Sequence, residues 1–589
     1  MYLGKADVNT YEKGSSREFL TTNGWGGFGF STVIGANTRR EHGLLVIKKS
    51  GEEAFPDVLI SKVDETVITR GKKYHLSTNR YTDVIYPDGY RYLQEYQAEP
   101  LPGMLFVIHS VFLRKTVFMP RSLPLTVIKY ELLTAPESVK LGIRPLAAHR
   151  GADRLCPEKD GSLFESFFTK NSVTIQGRGL QSHFSFNQGE WNSKPLWFEN
   201  LIYEHDDCEK PGTDSLWSPG FLSIDMSEGE SAYVLLGAKD EHYDHESVAA
   251  MEKETRHFFL KNLSESPLIR KTPMVKDLLQ SASHCLSQVE GERPAVFSGY
   301  PSVRESARET FISLPGLLLV TGKPDFAERV LKVWLDRAIT NDYVMPSEVN
   351  PHTGSLVTRA CDAGLWFFYA LDKLCDLTGR TDLVRENWPR LVELLDRYVK
   401  GIPSVGIKLD EDGLLDLQSK DPGSNWMDGE IDGKPIVHRR GKLVEVNALW
   451  YNALRTMEQY CEILGRSGEG AEYGSLAEKS RKSFQDTFWC DKGFLYDWVD
   501  GKSKEESIRC NQILAVSLPV SVMDPERGRS IVETCWNELY TTFGLRTLDP
   551  HHEKYKGRCE GRIDQREKAR FMGMAWPWLL GQFITSYLR

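Results

Sequence analysis

Through residues 1 to about 265, apolar positions come in short runs rich in β-branched and aromatic residues, punctuated by Gly, Pro, Asn and Asp. Gly43–Lys48, Met104–Leu113, Thr126–Leu132 and Ser231–Leu236 are examples, and each predicts a strand. A β-sandwich is the natural way for so many strands to bury their apolar faces. The texture changes near Leu268. Beyond it apolar residues recur every three or four positions, which predicts helices. The segments are Val275–Val289, Phe326–Ile339, Cys361–Leu377, Leu383–Val399, Leu443–Leu464, Tyr473–Phe488, Asn511–Val522, Arg529–Leu539 and Glu567–Tyr587. Long stretches rich in Gly, Asp and Pro lie between them, such as Gly401–Gly433 and Thr541–Gly561. Helix hairpins joined by long loops suggest an (α/α)6 toroid, with the loops carrying the site. The expected organisation is a multidomain β + α chain: an N-terminal β-sandwich over 1–265, then a toroid over 266–589.

Composition narrows the function. The chain has 589 residues, too many for one ordinary core, and 40% hydrophobic with 26% charged residues describes a folded protein. A net charge of −9 argues against broad binding of nucleic acid or of acidic membranes. No apolar signal core opens the chain, and no run is long enough to span a membrane. The ten cysteines are scattered without zinc spacing, so free thiols in a reducing cytoplasm are expected, with no metal and no organic cofactor. Gly24–Gly29 (GWGGFG) could mimic a nucleotide loop, but strand-like residues follow it, so turns of the β domain are expected there.

Three clusters could carry chemistry. In Ser424–Leu454, Trp426 stands beside Asp428, followed by Glu430, Asp432, the basic run His438–Arg440, and a helix with Glu445, Asn447, Trp450 and Asn452. A carboxylate next to Trp in a partly dry pocket is disfavoured in its ionised form, which moves its pKa toward that of a general acid. Asp428 capping a turn, and Glu445 pairing with Arg439 or Arg440, is the equal alternative. In Ser298–Leu319, Glu305, Arg308 and Glu309 would share a face if helical, and together could clamp sugar hydroxyls. A salt-bridged helix start explains them too. In Glu560–Phe583, Trp576 and Trp578 suggest an aromatic wall, although closure of the fold by a buried C-terminal helix accounts for Trp578.

These segments also carry a family resemblance. Glu18–Val46 (EFLTTNGWGGFGFSTVIGANTRREHGLLV) and Ser61–Glu65 resemble the N domain of bacterial and archaeal glycogen-debranching enzymes. TFISLPGLLL, DAGLWFFYAL (Asp362–Leu371), NWMD, VEVNALWYNAL, SIRCNQILAVSLP (Ser507–Pro519), FGLRTLDP (Phe543–Pro550) and AWPWLLGQF are similar to the amylo-α-1,6-glucosidase domain. The resemblance implies a toroid related to glucoamylases. It also implies inverting hydrolysis of α-1,6-linked glucose stubs on α-glucan, as glycogen or limit dextrin. Asp428 maps onto the family's general acid. Glu305, Arg308, Glu309, Asp362, Trp426, Glu445 and Trp576 are the candidate substrate-binding residues.

The chain departs from the family in two places. The family's Trp-Phe-x-Asp-Trp-Gly-Arg-Asp reads Ser302-Val303-Arg304-Glu305-Ser306-Ala307-Arg308-Glu309, and its Tyr-His-Gln-Gly reads Arg570-Phe571-Met572-Gly573. Where eukaryotic relatives carry the catalytic base there is Ala575, and an apolar group cannot activate water. Glu560, Asp564 and Glu567 are the base candidates nearby in sequence. Three functions stay open: a debrancher or glucosidase, a toroid hydrolase for another small α-glucoside, and a glycan-binding homologue without hydrolysis.

Overall fold

The structure, a computed structural model, describes residues 1–48, 55–156, 164–205, 212–268, 272–289, 293–350, 353–419 and 421–589. It divides into two compact units, Met1–Val303 and Arg304–Arg589.

Two antiparallel sheets dominate the first unit. Among the described residues one sheet has nine strands, with Leu125–Thr134 and Ser231–Gly237 at its centre, and the other has eight, with Asp57–Thr69 and Val139–Gly151 paired along their length. One core joins their inner faces: Ile128, Tyr130 and Val234 from the first meet Val67, Leu141 and Ile143 from the second, all essentially solvent-free. This is consistent with a β-sandwich. Gly103–Ile108 alternates half-buried and buried residues, as a strand with one face on a core should. The run Met104–Leu113 is two strands rather than one. His109 takes φ 52° and turns the chain between Gly103–Ile108 and Val111–Phe118. The Gly24–Gly29 segment forms turns, with Gly24 and Gly26 at φ 76° and 88° and the Asn23 side chain accepting from the N–H groups of Trp25 and Gly27. The change of texture near Leu268 falls inside this unit, which also holds helices His245–Glu265 and Pro273–Cys285. Val275–Val289, read as one helix, leaves helical geometry after Cys285 and pairs as strand Leu286–Val289 with Arg293–Val296.

The second unit is helical. The four helices between Ala363 and Phe488 alternate between two kinds. Ala363–Thr378 is buried from Ala363 to Asp372, and Val444–Leu464 from Val444 to Leu454. The helices after each, Asp382–Lys400 and Ser467–Phe488, bury one face only. A helix apolar all round is enclosed by others, and an amphipathic one lies at the surface. Gly379 and Gly465, both at φ 70°, end the two enclosed helices in the left-handed cap that Gly adopts without steric cost. Trp366 and Trp450 are fully buried, and replacing such an indole with Ala costs about 3–5 kcal/mol.

Two predicted helices are shorter than their apolar period suggests. Asn511–Val522 holds a 3-10 turn and the helix Leu514–Ser517, which stops before Leu518-Pro519 because a residue preceding Pro is pushed out of the helical region. Glu567–Tyr587 is broken into Ile563–Phe571 and Leu579–Leu588 by Gly573 at φ 146° and by Pro577. The broken stretch Ala575–Trp576 pairs instead with Gly544–Arg546.

Candidate active site

The loop that precedes helix Val444–Leu464 holds Asn425, Trp426, Met427 and Asp428. Just after them, Glu430–Ile431 and Lys434–Pro435 form a hairpin. Asp432 and Gly433 make its turn with φ 51° and 69°, the paired positive values of a type I′ turn. Asp432 is therefore used by the turn.

A buried charge network stands behind this loop. Arg439 donates Nη2 to Glu445 Oε2 at 2.6 Å and Nε to Asp497 Oδ2 at 2.8 Å. Its Nη1 also reaches Asn425 Oδ1 at 3.2 Å. The side chains of Arg439, Glu445 and Asp497 are 0%, 2% and 1% exposed, so each charge depends on the others. Burial opposes the Arg439 charge, but Asp497 and Glu445 outweigh it and hold its pKa above the ordinary value. Asn511 extends the network: Nδ2 donates to Asp497 Oδ1 at 2.7 Å, and Oδ1 accepts the Trp426 indole N–H at 2.7 Å. Trp426 and Asn425 are thus both tied to Arg439, one through Asn511 and Asp497, the other directly.

The ring of Trp426 lies in an aromatic cluster. Trp578 and Trp576 meet it edge-on at 5.3 and 5.5 Å between ring centres, and Phe571 lies tilted at 6.4 Å. Trp578 also meets Trp366 at 6.2 Å, and Trp366 donates its N–H to Asp362 at 3.2 Å. Phe571 is only 4% exposed. The aromatic residue that stands where the resemblance expects a polar one is packed as core.

Arg308 grips Asp362 in a fork, with Nη2–Oδ1 at 2.7 Å and Nε–Oδ2 at 2.9 Å. Asp428 is on the other side of the electrostatic balance. Its side chain is open to solvent and makes no hydrogen bond or ion pair to another side chain among the described residues. The protein packed around it raises its pKa above the usual carboxylate value, and the positive charges of Arg308, Arg359 and Arg304 offset part of that rise. An unengaged carboxyl with a raised pKa near a guanidinium suits proton donation.

The other expected residues are placed as follows. Glu305 lies in a two-residue strand with Glu348–Val349 opposite, not on a helix, so it does not share a face with Arg308 and Glu309. It is 5% exposed and accepts from Arg337 at 2.7 Å. Glu309 is exposed in the first turn of helix Ala307–Leu314, which Ser306 caps. Glu560 is exposed. Asp564 pairs with Arg562 at 3.3 Å and Glu567 with Arg570 at 2.9 Å, on helix Ile563–Phe571. Asp497, Asn511, Arg359 and Trp366 were not singled out by sequence. Asp497 and Asn511 lie 58 and 85 positions from the partners that give them meaning, Arg439 and Trp426, and no local period reports that. Glu538, Asp549 and His551 bring ligand atoms within 4.8 Å of one another, but His551 is 82% exposed and nothing else there points to an ion. No helix among the described residues is long and apolar enough to cross a membrane.

The amylo-alpha-1,6-glucosidase family model matches residues 279–589, more than half of the chain and all of the site just described. The chain belongs to that family. The model for the glycogen debranching enzyme N terminal matches residues 17–233. Glycogen debranching enzyme of Saccharomyces cerevisiae is 22% identical over 427 residues, covering 56% of this chain. The chain spans only 27% of that enzyme's length. Among solved structures, a bacterial glucoamylase complexed with acarbose is similar with a TM-score of 0.55 and 10% identity, over 97% of this chain and 88% of that one. The family member thus has a glucoamylase-like fold.

Proposed function

We propose that the protein is a glycoside hydrolase of α-glucan that removes α-1,6-linked glucose with inversion, and that Asp428 is its general acid. Family membership supports the substrate class. The glucoamylase likeness, with the alternation of enclosed and surface helices between Ala363 and Phe488, supports closure of the second unit as an (α/α)6 toroid. The observation that carries the proton-transfer role is the state of Asp428: accessible, unpaired, with its pKa raised by the surrounding protein. In this reading Asp428 protonates the glycosidic oxygen while water attacks the opposite face of the sugar. Inversion needs a second carboxylate roughly 6.5–9.5 Å from the acid to activate that water. Of Glu560, Asp564 and Glu567, Glu560 is the one without an ion pair among the described residues, and we assign it the base role. Arg308 with Asp362 orients the sugar, and Trp426 with Trp576 forms the wall it rests on. Glu309 lies beside Arg308 and contributes at the rim. Glu305, held by the half-buried Arg337, and Glu445, held by the buried Arg439, set the shape of the pocket.

The test is glucose release from phosphorylase-limit dextrin. Wild type releases glucose, and Asp428→Asn and Glu560→Gln do not. No release by the wild type, with oligosaccharide binding retained, would overturn the reading and favour a binding homologue. The apolar Phe571 and Ala575 are what favour that second reading. Turnover confined to short α-glucosides would select the small-substrate hydrolase.

A further inference from the structure

A cleft of about 510 Å³ opens beside the Asp428 loop, lined in part by Asp416, Gln418, Asn425, His438 and Arg440. That volume lies within the usual range of ligand sites, roughly 300–1,000 Å³. Its floor is Asn425. This residue is 3% exposed, and its Oδ1 is engaged by the Met427 N–H at 3.1 Å and by Arg439 at 3.2 Å. Those two donors fix which end of the amide is oxygen, so the NH2 end is the one left over. It has no hydrogen-bond partner among the described residues. That nitrogen is not sealed inside the protein, so it can donate to an acceptor that enters the cleft.

The arginines around the cleft are paired. Arg440 pairs with Asp500 at 3.1 Å, Arg359 with Asp421 at 2.8 Å, and Arg439 with Glu445 and Asp497. Asp416 stands opposite Lys408 in a strand pair but makes no ion pair among the described residues, so its carboxylate is left to accept from a ligand. Beside that one carboxylate, what is left to a ligand is a mixture of neutral donors and acceptors: the Asn425 NH2, the Gln418 amide and the His438 ring, none hydrogen-bonded to another side chain among the described residues. Such a lining suits a neutral polyol. A phosphate would need an uncommitted cation, and a metal ion would need convergent carboxylates. The cleft is linked to the acid through Arg359. Arg359 hydrogen-bonds Asp421 on the cleft wall, and its charge bears on the titration of Asp428.

We propose that this cleft holds the α-glucan main chain from which the branch is cut, with Asn425 and Gln418 hydrogen-bonding its sugar hydroxyls. The inference rests on the proposed hydrolase function for the choice of glucan, but its test is a binding test. Maltoheptaose is titrated calorimetrically into full-length Asp428→Asn protein, and into the same protein carrying Gln418→Ala and His438→Ala. Both added positions are exposed, so folding is preserved. Affinity is expected to fall at least tenfold in the triple variant, and a β-linked cello-oligosaccharide is expected to bind neither protein. Equal maltoheptaose affinity in both proteins would overturn the proposal, as would no binding to either. If limit dextrin yields no glucose while the tenfold loss is seen, the hydrolase reading fails and the cleft stands.

Discussion

Trp426 donates its indole N–H to Asn511 at 2.7 Å, and Asn511 in turn donates to Asp497 at the same distance. Asn511 therefore ties the aromatic wall to the buried charges behind it. Asn511→Leu leaves both a buried indole N–H and a carboxylate oxygen short of a partner. We expect a loss of about 1–3 kcal/mol in denaturant unfolding. A red shift of tryptophan emission should accompany it, as Trp426 loosens. Unchanged stability would show that the chain of hydrogen bonds carries no load.

The pH dependence of hydrolysis follows from the direction of the Asp428 shift. A general acid must be protonated, so kcat falls as pH rises through its pKa. The protein packed around Asp428 places that descending limb above the ordinary aspartate range. Asp428→Asn should lower kcat by about 10²–10⁴-fold and abolish the limb, as read from kcat–pH profiles on limit dextrin.

The fork between Arg308 and Asp362 makes Arg308→Lys a severe change. One ammonium cannot reproduce two parallel N–H donors, and Asp362 is 2% exposed, so water does not substitute. KM for limit dextrin is expected to rise about tenfold. Stability should drop by about 1.5–3 kcal/mol. A wild-type KM in the lysine variant would remove Arg308 from the sugar clamp.

Gly429, next to the proposed acid, has no room for a side chain: a Cβ there would lie 2.3 Å from the Phe571 ring. Gly429→Ala should destabilise by about 1–3 kcal/mol through overpacking. Phe571→Ala should relieve much of that, visible as a coupling energy in a double-mutant cycle.

Two buried groups should make stability respond to pH in opposite senses. Burial pushes Asp372, in the second unit, up to about 6. The folded state then holds a proton the unfolded state has released, so stability falls as pH rises from about 4 to 6. Burial lowers His284, in the first unit, to about 4. There the unfolded state takes up the proton first, so stability is lost as pH falls from about 6.5 to 4. Asp372→Asn should stabilise at pH 7 and not at pH 4, and His284→Gln should flatten the acid loss. Calorimetric scans at these pH values check both.

The elements legible in the sequence are those set by local period. Strands such as Ser231–Gly237 and helices such as Val444–Leu464 have boundaries close to where hydrophobic alternation or three-to-four spacing begins and ends. Period misled where backbone chemistry intervened: at Pro519, Gly573 and Pro577 in the helices, and at His109 in the strands. Part of the site was legible because Trp426, Asp428, Arg439 and Glu445 lie within one segment. Asp497 and Asn511 were not, since their roles come from partners distant in the chain. Glu305 misled for another reason: its spacing from Arg308 suits a helix, but the helix starts only at Ala307.

Arg439 and Glu445 have one more buried pair for company, since Asp497 also lies 3.9 Å from Arg509. Two positive and two negative groups thus balance in one solvent-free space. Removing any one leaves an uncompensated charge, a loss of about 3–5 kcal/mol that exceeds what most single substitutions cost. Sequence drift can cross that barrier only by changing several of these positions together. The four should therefore behave as a single inherited character: kept as a set in some lineages of the family, and replaced as a set by well-packed apolar residues in others.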